Sequence, residues 1–354
     1  MLDIEDFHAV FPDGVTYTDG IVAHIQEYQH ALGGKTFFER LLALLKIQGR
    51  SIHLLPIQHL LIHSLGGRKS YPPKNHSALQ DLYNRILSAP TSLHNKHCLL
   101  FYLLKDLSPQ YHGATELATT FARNVHLEKR FWTFIEGLWA LDHLEFRTAV
   151  EHLTHPSIIP TFPDEILYTL MRGRDRLGSV GIEKSSEEDI LPLAYYNCVR
   201  PPLADERTRD EFAKYISARN VTEAYYWLRD RPEHEHMHLL EVLVETTLET
   251  NAWSSGVDEE LYKRQDKAVE LVGLPFSEEE EKQVEKFLME GKGRSYKGAQ
   301  DTLLMRRIAM GRLADMAGEK GTRGRRHDGV TWEVLKDGVK QGLGPRGDEK
   351  AFSV

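Results

Sequence analysis

The feature that most constrains how this 354-residue chain can fold is a succession of amphipathic helix signals without matching strand signals. Thr36 and Glu39 form a capping-box pattern, in which a hydroxyl and a carboxylate satisfy exposed amides in the first turn of a helix. Apolar residues then recur three and four positions apart, at Phe38, Leu41, Leu42 and Leu45. This spacing predicts a helix that ends near Gly49.

Two later segments repeat this pattern. Ser77 and Gln80 predict a second capping box, and Pro90 predicts the end of that helix. The stripe between them consists of Leu79, Leu82, Tyr83 and Ile86. A third stripe consists of Phe131, Phe134, Ile135 and Leu138, with Trp132 and Trp139 on a second face. A helix that is apolar on two faces must pack on both sides.

Strand signals are few by comparison. Asp-Gly pairs occur only near the ends, at 13–14, 19–20, 328–329 and 337–338, and none joins two alternating apolar runs as a β-hairpin requires. Gly and Pro instead occur at intervals of one or two helix lengths, which predicts short antiparallel helix pairs. The sequence therefore predicts an all-α fold.

A degenerate repeat favours stacking of these helix pairs. One face carries a large residue, an alanine and a leucine in both copies: Phe146, Ala149 and Leu153, then Val221, Ala224 and Leu228. The alanine lets a neighbouring helix approach closely. Because no fixed period of about 34 residues is sustained, we predict an irregular α-solenoid of stacked antiparallel helix pairs. A compact multi-helix domain is the alternative.

Charge divides the chain into an acidic body and a basic tail. The formal net charge of −8 consists of −14 over residues 1–290 and +6 over residues 291–354. Such a body repels duplex DNA, which could be attracted only at the glycine-rich end. Two cysteines exclude a disulfide scaffold and a zinc site made of cysteines alone. Without an apolar run of roughly 20 residues or a basic, apolar leader, we expect a soluble protein of a reducing compartment.

Alternating histidines are the most conspicuous candidate metal ligands. His234, His236 and His238 would converge on one ion if they lay on a β-strand, where residues two apart share a face. They instead begin a predicted helix that runs to about Thr250, on which they point in different directions. We expect them to be solvated residues of a first helical turn.

Two other histidine pairs are weaker candidates. His59 and His63 are four residues apart but lack the glutamate of the zinc-protease helix motif. His94, His97 and Cys98 could offer nitrogen and sulfur ligands, yet no second ligand pair follows at zinc-finger distance. We expect both groups to be packing residues. The sequence thus predicts no metal, no cofactor and no catalytic residue.

Motifs for nucleophilic catalysis and phosphate binding are missing as well. The chain has no G-x-S-x-G, no G-x-x-x-x-G-K-[ST] and no G-x-G-x-x-G after a strand. Residues 291–295 resemble a phosphate loop only in composition, and they predict a flexible joint. The glutamates of residues 278–281, which follow Ser277, predict a stabilised helix N-terminus.

The order of several packing motifs along the chain adds a family resemblance. The longest runs from Phe121 to Ile158, FARNVHLEKRFWTFIEGLWALDHLEFRTAVEHLTHPSI. The others are FFERLLALL from Phe37, YPPKNHSALQDLYNRIL from Tyr71, HCLLFYLLKDL from His97 and LPLAYYNCVRPPL from Leu191. From Lys35 to Leu271 the chain resembles the ELYS-like helical domain of nuclear pore proteins, in its shorter fungal form.

This resemblance implies an α-solenoid nucleoporin at the nuclear pore complex of the nuclear envelope, which binds the Y-shaped outer-ring coat and supports nucleocytoplasmic transport. The implied partners are the short-arm subunits, a WD-repeat propeller and a long propeller–solenoid protein. The larger animal members also carry a β-propeller and AT-hooks, and neither is recognisable in this sequence. The segment from Arg323 to Arg326 is similar to an AT-hook core but lacks its flanking prolines.

The tail contains a candidate docking motif. An isolated apolar patch consists of Trp332, Val334, Leu335 and Val339. We predict that residues 331–340 bind a partner subunit, because tethered short motifs commonly become ordered on a partner. Nearby arginines would add attraction to a partner or to DNA, or serve nuclear import: Arg323, Arg325 and Arg326. The alternative is a tail that folds back onto its own solenoid.

The sequence therefore predicts four segments: an N-terminal helical segment at 1–34, the solenoid at 35–290, a C-terminal helix at 291–317 and a flexible tail at 318–354. Aromatic clusters at 195–196 and 225–227 are candidate interface anchors, although core packing explains them equally well. Two other functional classes remain open. One is a helical adaptor of a cytosolic or vesicle-coat assembly, and the other is a histidine-dependent metal hydrolase.

Overall fold

The structure, a computed structural model, describes residues 3–47, 71–110, 117–177, 190–250, 267, 269–296, 298–310 and 337. These residues form α-helices, 3-10 turns and connecting segments, with no β-strand among them. The helices of the first half are α1 Phe7–Val10, α2 Asp19–Ala31, α3 Phe37–Leu44, α4 His76–Ser88, α5 Leu93–Leu107, α6 Leu117–Asn124, α7 Lys129–Asp142, α8 Phe146–Leu153, α9 Pro163–Leu177 and α10 Leu191–Val199.

The helices of the second half are α11 Glu206–Arg219, α12 Val221–Arg229, α13 Glu233–Thr250, α14 Glu278–Met289 and α15 Ala299–Ala309. Residues 269–273 are also helical. The chain divides into two compact units, Met1–Leu203 and Ala204–Val354. Within the described ranges, no helix is both long and apolar enough to span a membrane.

The core of the first unit is built around α5. Ten of its fifteen residues are buried, including the continuous run from His97 to Leu104. Helices α7 and α8 pack closely as a pair, and Gly137 explains why. A Cβ atom at Gly137 would lie 2.7 Å from Cγ of Leu153, which is too close for a side chain to fit without a shift. No described residue of α7 from Phe131 to Asp142 is fully exposed, as expected of a helix packed on both sides.

In the second unit, α11, α12 and α13 pack against one another, and α14 packs against α13 and α15. A buried carboxylate, that of Glu235, connects two of these helices. It accepts a hydrogen bond from Arg209 of α11 at 2.8 Å and from Arg231 at 3.2 Å. Helix α14 follows Ser277 with its glutamates in the first turn, as predicted, and Ser277 and Glu280 also form a capping box.

Most local helix signals are confirmed. The capping box of Thr36 and Glu39 is present at the start of α3. The stripe of α4 is buried as predicted: Leu79, Leu82, Tyr83 and Ile86. The predicted cap at Ser77 is wrong, because the side chain of Asn75 accepts a hydrogen bond from the N–H of Ala78 at 2.8 Å. Asn75 starts the helix two residues earlier, so Ser77 already lies inside it.

The repeat is confirmed as a pair of buried helix faces. All six of its residues are buried: Phe146, Ala149, Leu153, Val221, Ala224 and Leu228. The predicted fold class, all-α and built from the packed helix pairs that make up α-solenoids, is likewise confirmed. The four predicted segment boundaries stay a prediction.

One prediction about the region after α14 needs revision. Residues Lys292–Ser295 form a 3-10 helix instead of a flexible joint, and Gly293 is buried. A Cβ atom at Gly293 would lie 2.7 Å from the ring of Phe287, so this glycine lets the turn pack on α14. The predicted C-terminal helix is described as α15, and residues 311–317 of its predicted range lie outside the described residues.

Candidate functional site

The three alternating histidines lie at the start of α13 and have separate surroundings. The side chain of His234 is 80% exposed. Nε2 of His236 lies 2.6 Å from the carbonyl oxygen of Arg231, and Nε2 of His238 lies 2.9 Å from Oδ2 of Asp210. They do not converge on one point, as expected of residues two apart on a helix.

Among the residues that the structure describes, one group could hold a metal ion. The ligand atoms of Glu206, Asp210 and His238 all lie within 4.8 Å of one another. Glu206 is exposed and belongs to the first turn of α11, where the helix dipole stabilises acidic side chains. Since Asp210 already contacts the imidazole of His238, the arrangement has a structural explanation. The absence of a functional metal site stays a prediction.

His97 and Cys98 are buried packing residues of α5, whereas His94 is exposed. The ring of His94 stacks on Phe131 of α7. The ring of His97 makes an edge-to-face contact with Phe121 of α6, with ring centroids 6.2 Å apart. Burial lowers the pKa of His97, with a smaller contribution from His94. Burial also raises the pKa of the Cys98 thiol to about 12, which leaves it protonated at neutral pH.

A buried carboxylate clamps two distant segments of the first unit. Oδ1 of Asp142, the last residue of α7, accepts a hydrogen bond from the N–H of Phe37 at 2.6 Å. Its Oδ2 accepts from the N–H of Phe38 at 3.0 Å and from the hydroxyl of Tyr102 at 2.8 Å. Asp142 thus satisfies the first amides of α3. Burial raises its pKa to about 7, against the opposing effect of these donors.

A second buried carboxylate is that of Asp106, in α5. Oδ2 of Asp106 accepts hydrogen bonds from the hydroxyls of Tyr17 at 2.8 Å and Tyr71 at 2.6 Å. Its Oδ1 accepts from the indole N–H of Trp139 at 2.8 Å and lies 3.7 Å from Nε2 of His143. Burial raises the pKa of Asp106, and His143 and the hydrogen-bond donors oppose the rise. Asp106 and Asp142 therefore both accept hydrogen bonds from donors of the protein core, and we interpret these two carboxylates as residues that stabilise the fold.

The second unit contains a buried cation instead. Arg306 of α15 is 1% exposed, and its guanidinium donates to three backbone carbonyls, those of Leu271, Val272 and Leu274. The first two carbonyls belong to the last turn of the helical residues 269–273 and the third follows it, so the arginine caps a helix C-terminus, where the dipole favours a positive charge. Arg306 also pairs with Glu281 of α14. Its Cζ lies 3.7 Å from the ring centroid of Phe276, a close cation–π contact.

The predicted aromatic anchors divide between core and surface. Tyr195 and Tyr225 are buried, so they are core residues. Tyr196 and Trp227 are partly buried, whereas Tyr226 is 59% exposed. Only one of these five side chains therefore presents most of its surface to a partner.

The predicted tail sites fall on residues that the structure does not describe. They are Arg323, Arg325, Arg326, Trp332, Val334, Leu335 and Val339. The histidine pair His59 and His63 also lies outside the described residues. Their predicted roles stay predictions.

Sequence reasoning missed Asp106, Asp142 and Arg306. A charged residue in an amphipathic helix is ordinarily read as part of the solvated face. Asp142 did carry a weak signal, because it ends a helix that is apolar on two faces and therefore has little solvated face. For Arg306 the sequence offers no comparable signal, since its partners lie 25 to 35 residues away.

Comparison with known proteins matches the sequence of this chain to a family model. The family model named ELYS, described as nuclear pore complex assembly, matches residues 35–291. A protein of Schizosaccharomyces pombe named ely5, described as uncharacterized, is 27% identical over 210 residues. That match covers 59% of this chain and 59% of the relative.

Proposed function

The chain belongs to the ELYS family of nuclear pore complex assembly, and we propose that it is a non-enzymatic scaffold nucleoporin that binds the short arm of the Y-shaped outer-ring coat. The family match carries this proposal, because it covers the helical body from residue 35 to residue 291. In the proposed role the protein acts at the nuclear envelope, in pore assembly and in the transport of mRNA and protein.

The partners in this proposal are two short-arm subunits, the WD-repeat propeller subunit and the long propeller–solenoid subunit. Packed helix pairs support such a role, since they offer long surfaces with each pair held by its neighbours. The polar clusters support it too. The carboxylates of Asp106 and Asp142 are enclosed by hydrogen-bond donors of the core, which is the environment of structural residues.

We also propose that residues 331–340 in the tail contribute to this binding. The apolar side chains of Trp332, Val334, Leu335 and Val339 would contact the coat, and the arginines at 323, 325 and 326 would add electrostatic attraction, contact DNA weakly or bind an import receptor. Deleting residues 318–354 should then weaken binding to the coat and leave the melting temperature of the remaining chain unchanged. A lower melting temperature with unchanged binding would instead identify an intramolecular strap.

Reconstitution tests the main proposal. The full chain, mixed at micromolar concentration with the purified short-arm subunits, should elute as one complex whose mass by light scattering equals the sum of its components. The matched control is a vesicle-coat solenoid mixed with the same chain, which should elute separately. Separate elution from the short arm together with co-elution with the vesicle coat would favour a cytosolic adaptor.

A further inference from the structure

A basic and aromatic surface lies where the first turns of α5 and α7 meet. The ring of His94 stacks on Phe131, with centroids 5.4 Å apart and 18° between the ring planes. Cζ of Arg130 lies 4.8 Å from the ring centroid of Phe131. Nζ of Lys129 lies 4.4 Å from the ring centroid of Trp132. We call His94, Lys129, Arg130, Phe131 and Trp132 the basic–aromatic face.

The stability of α7 does not explain the positive charge of this face. Lys129 and Arg130 lie in its first turn, which has no acidic residue. That end of a helix dipole is positive and therefore disfavours cations. Glu128 precedes the helix but makes no side-chain cap. Its carboxylate pairs instead with Arg130 at 2.8 Å, in a contact where both side chains are about half exposed and thus weakly coupled.

The aromatic part of this face nevertheless packs on the buried core. Trp132 packs on the buried ring of Phe101 in an edge-to-face contact at 5.7 Å. Lys129 and Arg130 are exposed, so these cations lie outside the aromatic base. Leu93, next to His94 in the first turn of α5, is 48% exposed. Tryptophan and arginine side chains in well-packed positions are enriched in interface hot spots.

We infer that the basic–aromatic face binds a short acidic segment of a partner protein that carries one apolar side chain. Carboxylates would meet Lys129 and Arg130 and would also be favoured by the N-terminal end of α7. The apolar side chain would contact the aromatic rings and Leu93. A nucleic acid fits less well, because the face offers only two cations, one of them already paired with Glu128, which is too few to follow a continuous run of phosphates.

The probe for this inference is a fluorescein-labelled peptide of glutamates around a single phenylalanine, titrated against the full chain by fluorescence anisotropy. Replacing both cations, Lys129→Glu with Arg130→Glu, should weaken binding at least ~10-fold, as for paired charges at a hot spot. Leu93→Ala should weaken it about 3-fold, because only part of one aliphatic contact is lost. The melting temperature of the double variant should be equal or higher, since glutamates suit a helix N-terminus.

The matched control reverses two other exposed cations of the same unit, Lys74→Glu with Arg85→Glu, and changes the net charge equally. It should bind the probe within about 2-fold of the parent chain, since it touches no part of the face. Equal weakening in both double variants would overturn the inference and show a general charge effect. Tighter binding of a single-stranded oligonucleotide than of the peptide, with the same loss in the Lys129 and Arg130 variant, would also overturn it. Because the probe is synthetic, neither outcome depends on the coat partner proposed above.

Discussion

The two units of this protein compensate their buried charges differently. In the first unit, Asp142 accepts hydrogen bonds from neutral donors: two backbone N–H groups and a tyrosine hydroxyl. In the second unit, Arg306 pairs with the carboxylate of Glu281 and also donates to backbone carbonyls. A carboxyl without a full counter-charge gains a proton easily, whereas a paired guanidinium keeps its charge. We therefore expect only the first unit to respond to pH through its polar core.

The largest effect should follow the loss of the buried cation. Arg306→Met would leave Glu281 without its partner and three carbonyls without a donor, which should lower the free energy of unfolding by about 3–5 kcal/mol. Urea unfolding of the full chain measures the change, and hydrogen exchange should show lost protection in α14 and α15. The control is Arg307→Met, whose contacts with Glu285 and Met289 are more exposed and worth about 1 kcal/mol. Equal losses in both variants would contradict the assigned role of Arg306.

A somewhat smaller effect should follow removal of the clamp in the first unit. Asp142→Ala would orphan the buried N–H groups of Phe37 and Phe38, and the free energy of unfolding should fall by about 2–4 kcal/mol. Hydrogen exchange should increase in α3, because its first amides lose their acceptor. Asp142→Asn retains one acceptor oxygen and should lose less. Unchanged protection of α3 in the alanine variant would show that Thr36 caps this helix sufficiently alone.

Arg306 and Asp142 mark the limit of what the sequence could predict. The capping box of Thr36 was predictable because its partner, Glu39, is three positions away and the chemistry is local. The repeat faces were predictable because helical periodicity is local as well. Asp142 meets Phe37 across 105 residues, and only the packing of α3 against α7 brings them together. The misplaced cap at Ser77 had a local cause, since Asn75 is an equally good cap two residues earlier.

A third prediction concerns the pH dependence of stability, which should differ between the two units. The pKa of Asp142, about 7 in the folded chain, lies above its value of about 4 in the unfolded chain. The folded state therefore binds more protons between these values, and this contribution to stability is full below about pH 4 and lost as the pH rises toward 7. Asp106 acts in the same direction.

Hydrogen exchange at several pH values, corrected for intrinsic rates, measures this response in each unit separately. Protection of α3 and α7 should decline as the pH rises through this window, and Asp142→Asn should reduce the decline. Protection of α14 and α15, in which Arg306 is paired with Glu281, should not follow it. An equal decline in both units would show that the difference in charge compensation has no effect on stability.

The smallest expected effect concerns the surface carboxylates of the second unit. Because Asp210 is paired with His238 and Glu206 is explained by its helix N-terminus, the purified protein should contain no stoichiometric transition metal. Elemental analysis measures this content, and His238→Ala should leave it unchanged. One tightly held zinc per chain, lost in that variant but kept in His234→Ala, would restore the metal-hydrolase hypothesis.

Affinity purification of the full chain from nuclei, with co-purifying proteins quantified by mass spectrometry, tests the proposed function most directly. The proposal that this ELYS-family protein is an outer-ring scaffold predicts that the short-arm coat subunits are recovered in amounts close to that of the chain itself. Recovery of vesicle-coat or other cytosolic assembly subunits in those amounts, with outer-ring subunits at background level, would contradict it.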